Sequence, residues 1–343
     1  MAAHGIRRLP LTLQSTYADL VSRLQDESLL ELGGTPVLRS KGGRAYWYAV
    51  QRMGDRTIER YLGPDTEEIR AQVERARAAN RDRRAREQQR RPLVRMCQEA
   101  GLPRADAQTG KVLLALSKAG VFRLRAVLVG THAFRCYPGL LGVDFPEAHG
   151  VTEDIDVAAF RSISVALDDR ADPPLTDALA HVGSFVARPG LQRQATAWRD
   201  RDRQTVVELL TPNQGPDRDE PVELPALGAF ATPLRFLDYL IHRPTPAAVL
   251  YRSGVPVHVP QPQRYAVHKL IVAPRRAETA SVKARKDIEQ AAALIRVLAE
   301  DRPDDLEEAY HEAFDRGPAW RSALDRGTRR LPQEIRDLLR RAV

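Results

Sequence analysis

The sequence predicts an α/β core with a short mixed sheet, preceded by a small N-terminal antiparallel β module and followed by a C-terminal helical domain. Three observations predict it. Short apolar runs, RAVLVG (125–130), DIDVAAF (154–160) and TVVELLTP (205–212), alternate with helical stretches. Near the start, β-prone runs of a few residues are separated by turn dipeptides. From about residue 226 onward the helical period dominates. The expected divisions are 1–68 for the β module, 69–101 for an Arg-rich helical linker, 102–225 for the core and 226–343 for the helical domain.

In the first block Val37–Arg39, Arg44–Val50 and Thr57–Tyr61 read as strands, with Gly42–Gly43 and Gly54–Asp55 as the turns. Tyr46 and Tyr48 fall on one face of the middle strand and Trp47 on the other. With Lys41, Arg44, Arg52, Arg56 and Arg60 among them, these rings either stack on bases or form the core of a tiny sheet. The linker has no helix breaker before Pro92, and its span Arg70–Arg91 holds nine arginines against three acids. Such a run is either a solvated helix face or a contact for nucleic-acid phosphates, and in both cases a stiff spacer.

In the core, Asp106–Ala119 reads as a helix with Asp106 as N-cap. A helix starts again in THAFRCYPGLLG (131–142). In the last block PQRYAVHKLIVA (262–273) and KARKDIEQAAALIRVLAE (283–300) are helices, the second with a stripe of Ile288, Ala291, Ala292, Ile295 and Leu298. The proline-rich pieces at 244–246 and 260–262 read as loops.

Composition bounds the function. A chain of 343 residues, 43% hydrophobic and 29% charged, is that of a globular protein with two or three domains. No apolar run approaches the roughly 18 residues of a membrane span, and MAAHGIRRLPLTLQ has no secretory apolar stretch, so no membrane partner and a cytoplasmic location are expected. Two cysteines, Cys97 and Cys136, exclude a disulfide framework and a Cys-based zinc site. The net charge of +8 favours an anionic partner.

The chemistry gathers at VTEDIDVAAF (151–160). Asp154 and Asp156, two apart on a strand, point to one face about 6–7 Å apart. Unpaired, they repel each other and resist burial. A divalent cation removes both problems, and oxygen-only ligands suit Mg²⁺ or Mn²⁺. Upstream, VLVGTHAF (127–134) runs a buried strand into Gly130 and Thr131. A glycine there lets backbone N–H groups approach an anion, with the Thr131 hydroxyl added, or the turn is an ordinary one with Thr131 as N-cap. Downstream, Glu208 is the single charge in its strand, so it is either salt-bridged or functional. Beside the two aspartates it completes a three-carboxylate cage for two metals. His132 and Arg135 either touch phosphate or are incidental, and Cys136 reads as a core residue.

The order of these segments resembles the nucleotidyltransferase superfamily: hydrophobic strand, Gly with a small residue, spacer, paired acids, later acid. The wording GTHA, TEDID and VELLTP is closest to a bacterial group of nucleotidyltransferase-fold proteins, distantly similar to abortive-infection nucleotidyltransferase toxins. The resemblance covers roughly 105–300. It departs where Thr131 replaces the usual second Gly or Ser, and where 22 residues separate Thr131 from Asp154, a longer spacer than usual. It implies a nucleotidyltransferase-like α+β core. It also implies an NTP donor, ATP among the candidates, with Gly130 and Thr131 at the phosphates, and metal at Asp154, Asp156 and Glu208. Helical lysines at the triphosphate would be Lys269 and Lys286, the latter paired with Asp287. The acceptor is a hydroxyl of RNA (tRNA included), protein or a small molecule. The alternative is a catalytically inactive nucleic-acid-binding or toxin–antitoxin-type protein on the same fold, and a metal-dependent nuclease is a third reading.

Overall fold

The computed structural model describes residues 6–28, 35–41, 44–53, 56–145, 153–161, 170–188, 194–213, 215, 219–276 and 281–343. The chain opens with β1 (Arg7–Arg8) and an 18-residue helix, α1 (Leu11–Ser28), in a stretch to which the sequence reading assigned no element. Strands β2 (Thr35–Lys41), β3 (Arg44–Met53) and β4 (Arg56–Pro64) then form an antiparallel sheet in the order β2–β3–β4. Its two glycine turns lie outside the described residues. Trp47 is buried, donates its indole N–H to Asp65 Oδ1 at 2.8 Å and carries the Arg77 guanidinium 4.9 Å from its ring centroid. It is therefore a core residue of this sheet, while Tyr46 and Tyr48 are half-buried on the other face. The side chains of Lys41, Arg52, Arg56 and Arg60 lie outside the described residues.

Helix α2 (Glu67–Glu99) starts at Thr66, whose hydroxyl accepts from the Ile69 N–H, and continues past Pro92. The proline removes one ladder bond, which side-chain anchors around it offset. Arg90 Nε donates to the Ser253 carbonyl at 3.1 Å and Gln98 Nε2 to that of Leu250 at 3.0 Å. Val94 and Cys97 are buried with Leu13, Tyr17, Leu20 and Leu24 of α1, Leu102, Ala248 and Leu250 in a second, smaller core. Full burial of Leu20 and Leu24 contributes about 1.5–3 kcal/mol each. The Tyr17 hydroxyl donates to the Ala248 carbonyl at 2.9 Å and accepts from the Ala248 N–H at 3.1 Å. The second half of the Arg-rich helix is thus fastened to the rest of the molecule.

Helix α3 (Ala107–Lys118) is capped by Asp106, which accepts from the N–H groups of Gln108 and Thr109 at 2.9 Å. There follow β5 (Val127–Val129), α4 (Gly130–Phe134), α5 (Tyr137–Leu141) and β6 (Val143–Asp144). The helix expected after Gly130 is therefore two short ones, because Pro138 has no N–H with which to continue α4. Its N-cap is Val129, not Thr131. The first part of the long spacer also holds the N-terminus: β6 pairs with β1, and Leu9 N–H donates to the Gly142 carbonyl. Residues 146–152 of it lie outside the described residues.

The chain continues through β7 (Asp154–Ala158), α6 (Leu175–Ala180), β8 (Phe185–Ala187), β9 (Ala197–Asp200), β10 (Val206–Pro212), β11 (Val222–Leu224) and β12 (Ala229–Leu234). The main sheet runs β11–β12–β10–β7–β5, with β9 on the first half of β10 and β8 beyond it. It is mixed: β7, β10 and β12 run parallel, and β5 is antiparallel to β7.

After the single turn α7 (Leu237–Leu240) come two more strands, β13 (Thr245–Val249) and β14 (Val255–Val259), paired as a hairpin. Helical periodicity was expected from 226 and a loop at 244–246. Instead β12, β13 and β14 occupy 229–259, because VPVHV alternates with period two and Pro246 sits where an edge strand tolerates it. The helices are α8 (Pro262–Val272), α9 (Ser281–Asp301), α10 (Pro303–Asp315), α11 (Pro318–Thr328) and α12 (Gln333–Ala342). The α9 stripe is buried as expected except at half-exposed Ala292, and is widened by Leu294 and Val297. These helices share one continuous core with the sheet.

Helix α11 lies so close to α8 that a Cβ on Gly327 would stand 2.0 Å from the Leu270 carbonyl oxygen. Backbone cannot rotate away as a side chain can. Gly327→Ala should therefore lower unfolding free energy by at least about 2 kcal/mol in urea titration. An unchanged midpoint would show that the two helices separate without cost.

Candidate functional site

The site is built on the register of two parallel strands. Asp156 of β7 lies directly beside Glu208 of β10, and Asp154 beside Val206. Since side chains alternate along a strand, the three acids share one face of the sheet. The other face carries Ile155, Val157, Val207 and Leu209, each 0% exposed. That apolar face holds the strands in register, because a slip of one residue would bury the acids and expose the core.

Strand β5 adds Gly130. Val129 is opposite Asp156, and the chain turns at Gly130 with φ +66°. A Cβ there would stand 2.4 Å from Asp156 Oδ2, so both the backbone conformation and the carboxylate require glycine. The turn is fastened from α8, where the Tyr265 hydroxyl donates to the Gly130 carbonyl at 2.9 Å. The same hydroxyl lies 2.9 Å from the Gln290 side-chain amide of α9.

Burial, then the neighbouring Glu208 and Asp154, push the Asp156 carboxyl up to about 6, against the pull of Lys269 and Lys283. Burial and Asp154 likewise raise Glu208, opposed by Arg188 and Lys283. Like charges held together in a partly desolvated place bind protons more tightly. Among the described residues no three His, Cys, Asp or Glu side chains stand grouped closely enough to hold a metal ion as they are. Asp156 meets Glu208 across the strands and Asp154 along its own strand, and Asp154 also acts on Glu208, so each acid feels the other two.

Cations gather beside them. Lys283 Nζ is 3.8 Å from Asp154 Oδ2. Burial and Lys269 lower the Lys286 ammonium, with Arg135 and Lys283 adding to this and Asp287 opposing it. Burial and Arg135 press His132 down to about 4, so its ring is neutral at pH 7, and its buried Nε2 has no partner among the described residues. The Nε of Arg135 is in the same position. Lys269, which the resemblance places at the triphosphate, is also engaged by the protein itself. It is buried, lies over the Tyr265 ring and gives its ammonium to Asp287 Oδ1 at 2.5 Å, while Arg276 takes Asp287 Oδ2 at 2.5 Å. Burial pushes Asp287 up, but Lys269 and Arg276 outweigh it and hold the carboxyl below its ordinary value. Asp287 is therefore the partner of Lys269 and Arg276.

Lys283, Arg276 and Tyr265 were missed from the sequence. Helical spacing carried a signal for two of them: Lys283 is one turn before Lys286, and Tyr265 one turn before Lys269. Arg276 lies beyond the end of α8, where no periodicity reaches. Thr131 is half-exposed next to Gly130. Cys136 is buried, as expected.

A family described as nucleotidyltransferase matches residues 107–315, and a domain of unknown function matches residues 6–71. No curated protein and no solved structure matches the chain. Among the described residues no helix is long and apolar enough to cross a membrane. The nucleotidyltransferase match covers more than half of the chain and takes in the glycine turn, all three acids and the lysines of α8 and α9: the chain belongs to this nucleotidyltransferase family.

Proposed function

We propose that the chain transfers a nucleoside monophosphate from an NTP to an acceptor hydroxyl, with a nucleic acid as the acceptor. The observation that carries this reading is the pressing of the Gly130 turn against Asp156, with Asp154 and Glu208 on the same sheet face and cations of α9 alongside. Asp154, Asp156 and Glu208 would hold Mg²⁺ or Mn²⁺. Their donors are all hard carboxylate oxygens, and burial together with mutual repulsion raises the Asp156 and Glu208 carboxyls, a cost to the charged forms that a divalent cation relieves. When bound, such an ion screens phosphate charge and lowers the pKa of an attacking hydroxyl.

The chain's own residues do the rest. The Gly130 turn and the Thr131 hydroxyl receive the β- and γ-phosphates, and Tyr265 keeps that backbone in place. Lys286 and Lys283 face the triphosphate and take up the charge that grows on leaving pyrophosphate. Lys269 contributes through its field on Asp156, with its own position set by Asp287. Glu208, on the strand beyond Asp156, faces the acceptor. The acceptor oxygen attacks the α-phosphorus, the bond to the bridging oxygen of pyrophosphate breaks, and the hydroxyl proton passes to the Glu208 carboxylate.

The charge cluster has a consequence without any ligand. An Asp carboxyl raised from about 4 when unfolded to about 6 when folded stabilises the protein fully only below the unfolded value. That contribution is lost as pH rises through the folded value. Asp156→Asn should therefore be more stable than the native apo protein at neutral pH, by on the order of 2 kcal/mol, and the gain should shrink towards pH ~4. Thermal melts across this range read it. A less stable variant at neutral pH would make Asp156 a structural partner.

Glu208→Gln keeps shape and removes charge. It should bind Mg²⁺–NTP with near-native affinity yet transfer nucleotide at least ~100-fold more slowly, a loss of about 2.7 kcal/mol of transition-state stabilisation. Calorimetry and a labelled-NTP assay with cellular RNA check both halves. Equal rates would remove Glu208 from the site. A native protein that binds NTP and labels nothing would put the nucleic-acid-binding reading in its place.

A further inference from the structure

Away from the acids, the second half of α2 and the β13–β14 turn enclose a groove of about 410 Å³ lined by Arg91, Val94, Arg95, Gln98 and Arg252. Three of these five side chains are guanidiniums, all exposed, and no acid lines the groove. Among the described residues none of the three is ion-paired. Their bases are fixed. Arg90 is bonded to the Ser253 carbonyl, Gln98 to the Leu250 carbonyl, and Val94 is buried below. Arg252 lies over the Tyr251 ring at 5.2 Å and stands at φ +54°, a turn position that Asn or Gly fills at less cost.

The groove continues a row. Arg81, Arg84, Gln88, Arg91 and Arg95 recur at steps of three and four, on one exposed face of α2. At 1.5 Å per residue the row is about 21 Å long. Planar guanidiniums match phosphate in a way that ammonium groups do not, and a row of this length suits a linear polyanion better than a single small anion.

We infer that this groove and row bind the phosphate backbone of a nucleic-acid strand, with Arg91, Arg95 and Arg252 as the point of attachment. This identifies the class of acceptor and so rests on the transfer proposed above for its purpose. Binding itself needs no transfer. Phosphate contacts position a strand without reading its sequence, so RNA and DNA are both tested.

The triple variant Arg91→Gln/Arg95→Gln/Arg252→Gln is compared with the native chain by anisotropy of a fluorescein-labelled single-stranded RNA and the matching DNA, with no NTP present. The expected result is a loss of at least ~10-fold in affinity, with the slope of log K against log salt flatter by about 2. Mg²⁺–NTP binding should be unchanged, which shows that the variant is folded. A second variant, Arg302→Gln/Arg326→Gln/Arg340→Gln, removes the same charge from exposed positions elsewhere and should lose little. Equal losses in the two variants, no loss in the first, or no nucleic-acid binding by the native chain would each overturn the proposal. So would displacement by polyglutamate as effective as by unlabelled RNA. Because the assay contains no NTP, a native chain that binds RNA but labels nothing leaves this groove standing and removes only the transfer reading.

Discussion

Everything at the site depends on one alternation. Strands β7 and β10 are apolar on one face and acidic on the other, and their parallel register puts Asp156 beside Glu208. Three carboxylates would not choose each other's company. They are kept together because Ile155, Val157, Val207 and Leu209 are fully buried behind them, and each buried side chain of that size is worth about 1.5–3 kcal/mol. Repulsion at the front is smaller than burial at the back, so the fold holds the acids in a strained electrostatic state. The glycine turn sharpens that state, since Gly130 closes one side of Asp156 with backbone rather than with a side chain.

The supporting contacts are arranged to keep this geometry. Tyr265 reaches from α8 to the Gly130 carbonyl and meets Gln290 of α9 on the way. If the Gln290 amide presents its N–H to the hydroxyl, one tyrosine proton is left for Gly130 and the chain of bonds is satisfied in sequence. Asp287 binds Lys269 and Arg276 together, which buries a cation near the acids without leaving it unpaired. The helical region is in this sense part of the site, although the acids themselves are all on strands.

Much of this was legible in the sequence. The three apolar strands, the DID pair, the Asp106 cap and the helices around Lys269 and Lys286 follow from local period and composition. What was not legible depends on contacts made at a distance. Helix α1 is an exception: its buried Leu13, Tyr17, Leu20 and Leu24 recur at steps of four, three and four, a helical period that was open to reading from the sequence. Strands between 229 and 259 were overshadowed by the helices after them. Lys269 shows the limit most clearly: its position on the helix could be read, but its partner, Asp287, lies on another helix and was read as the companion of Lys286. A residue's neighbours in sequence announce its type of surroundings, while tertiary packing decides which charge it meets.

The small sheet β2–β3–β4 and the first half of α2 form an excursion whose two ends are both moored to the same body. One mooring is α1, through Tyr17 and Ala248; the other is the end of α2, through Arg90 and Ser253. An appendage attached at one end is lost when its stalk is cut. This one is a closed handle: cleavage at the exposed arginines of α2 would divide the chain but leave both pieces seated on the core, held by the buried leucines of α1. The handle also shares its α2 root with the arginine row, so whatever lies along that row is kept beside the body that carries the acids.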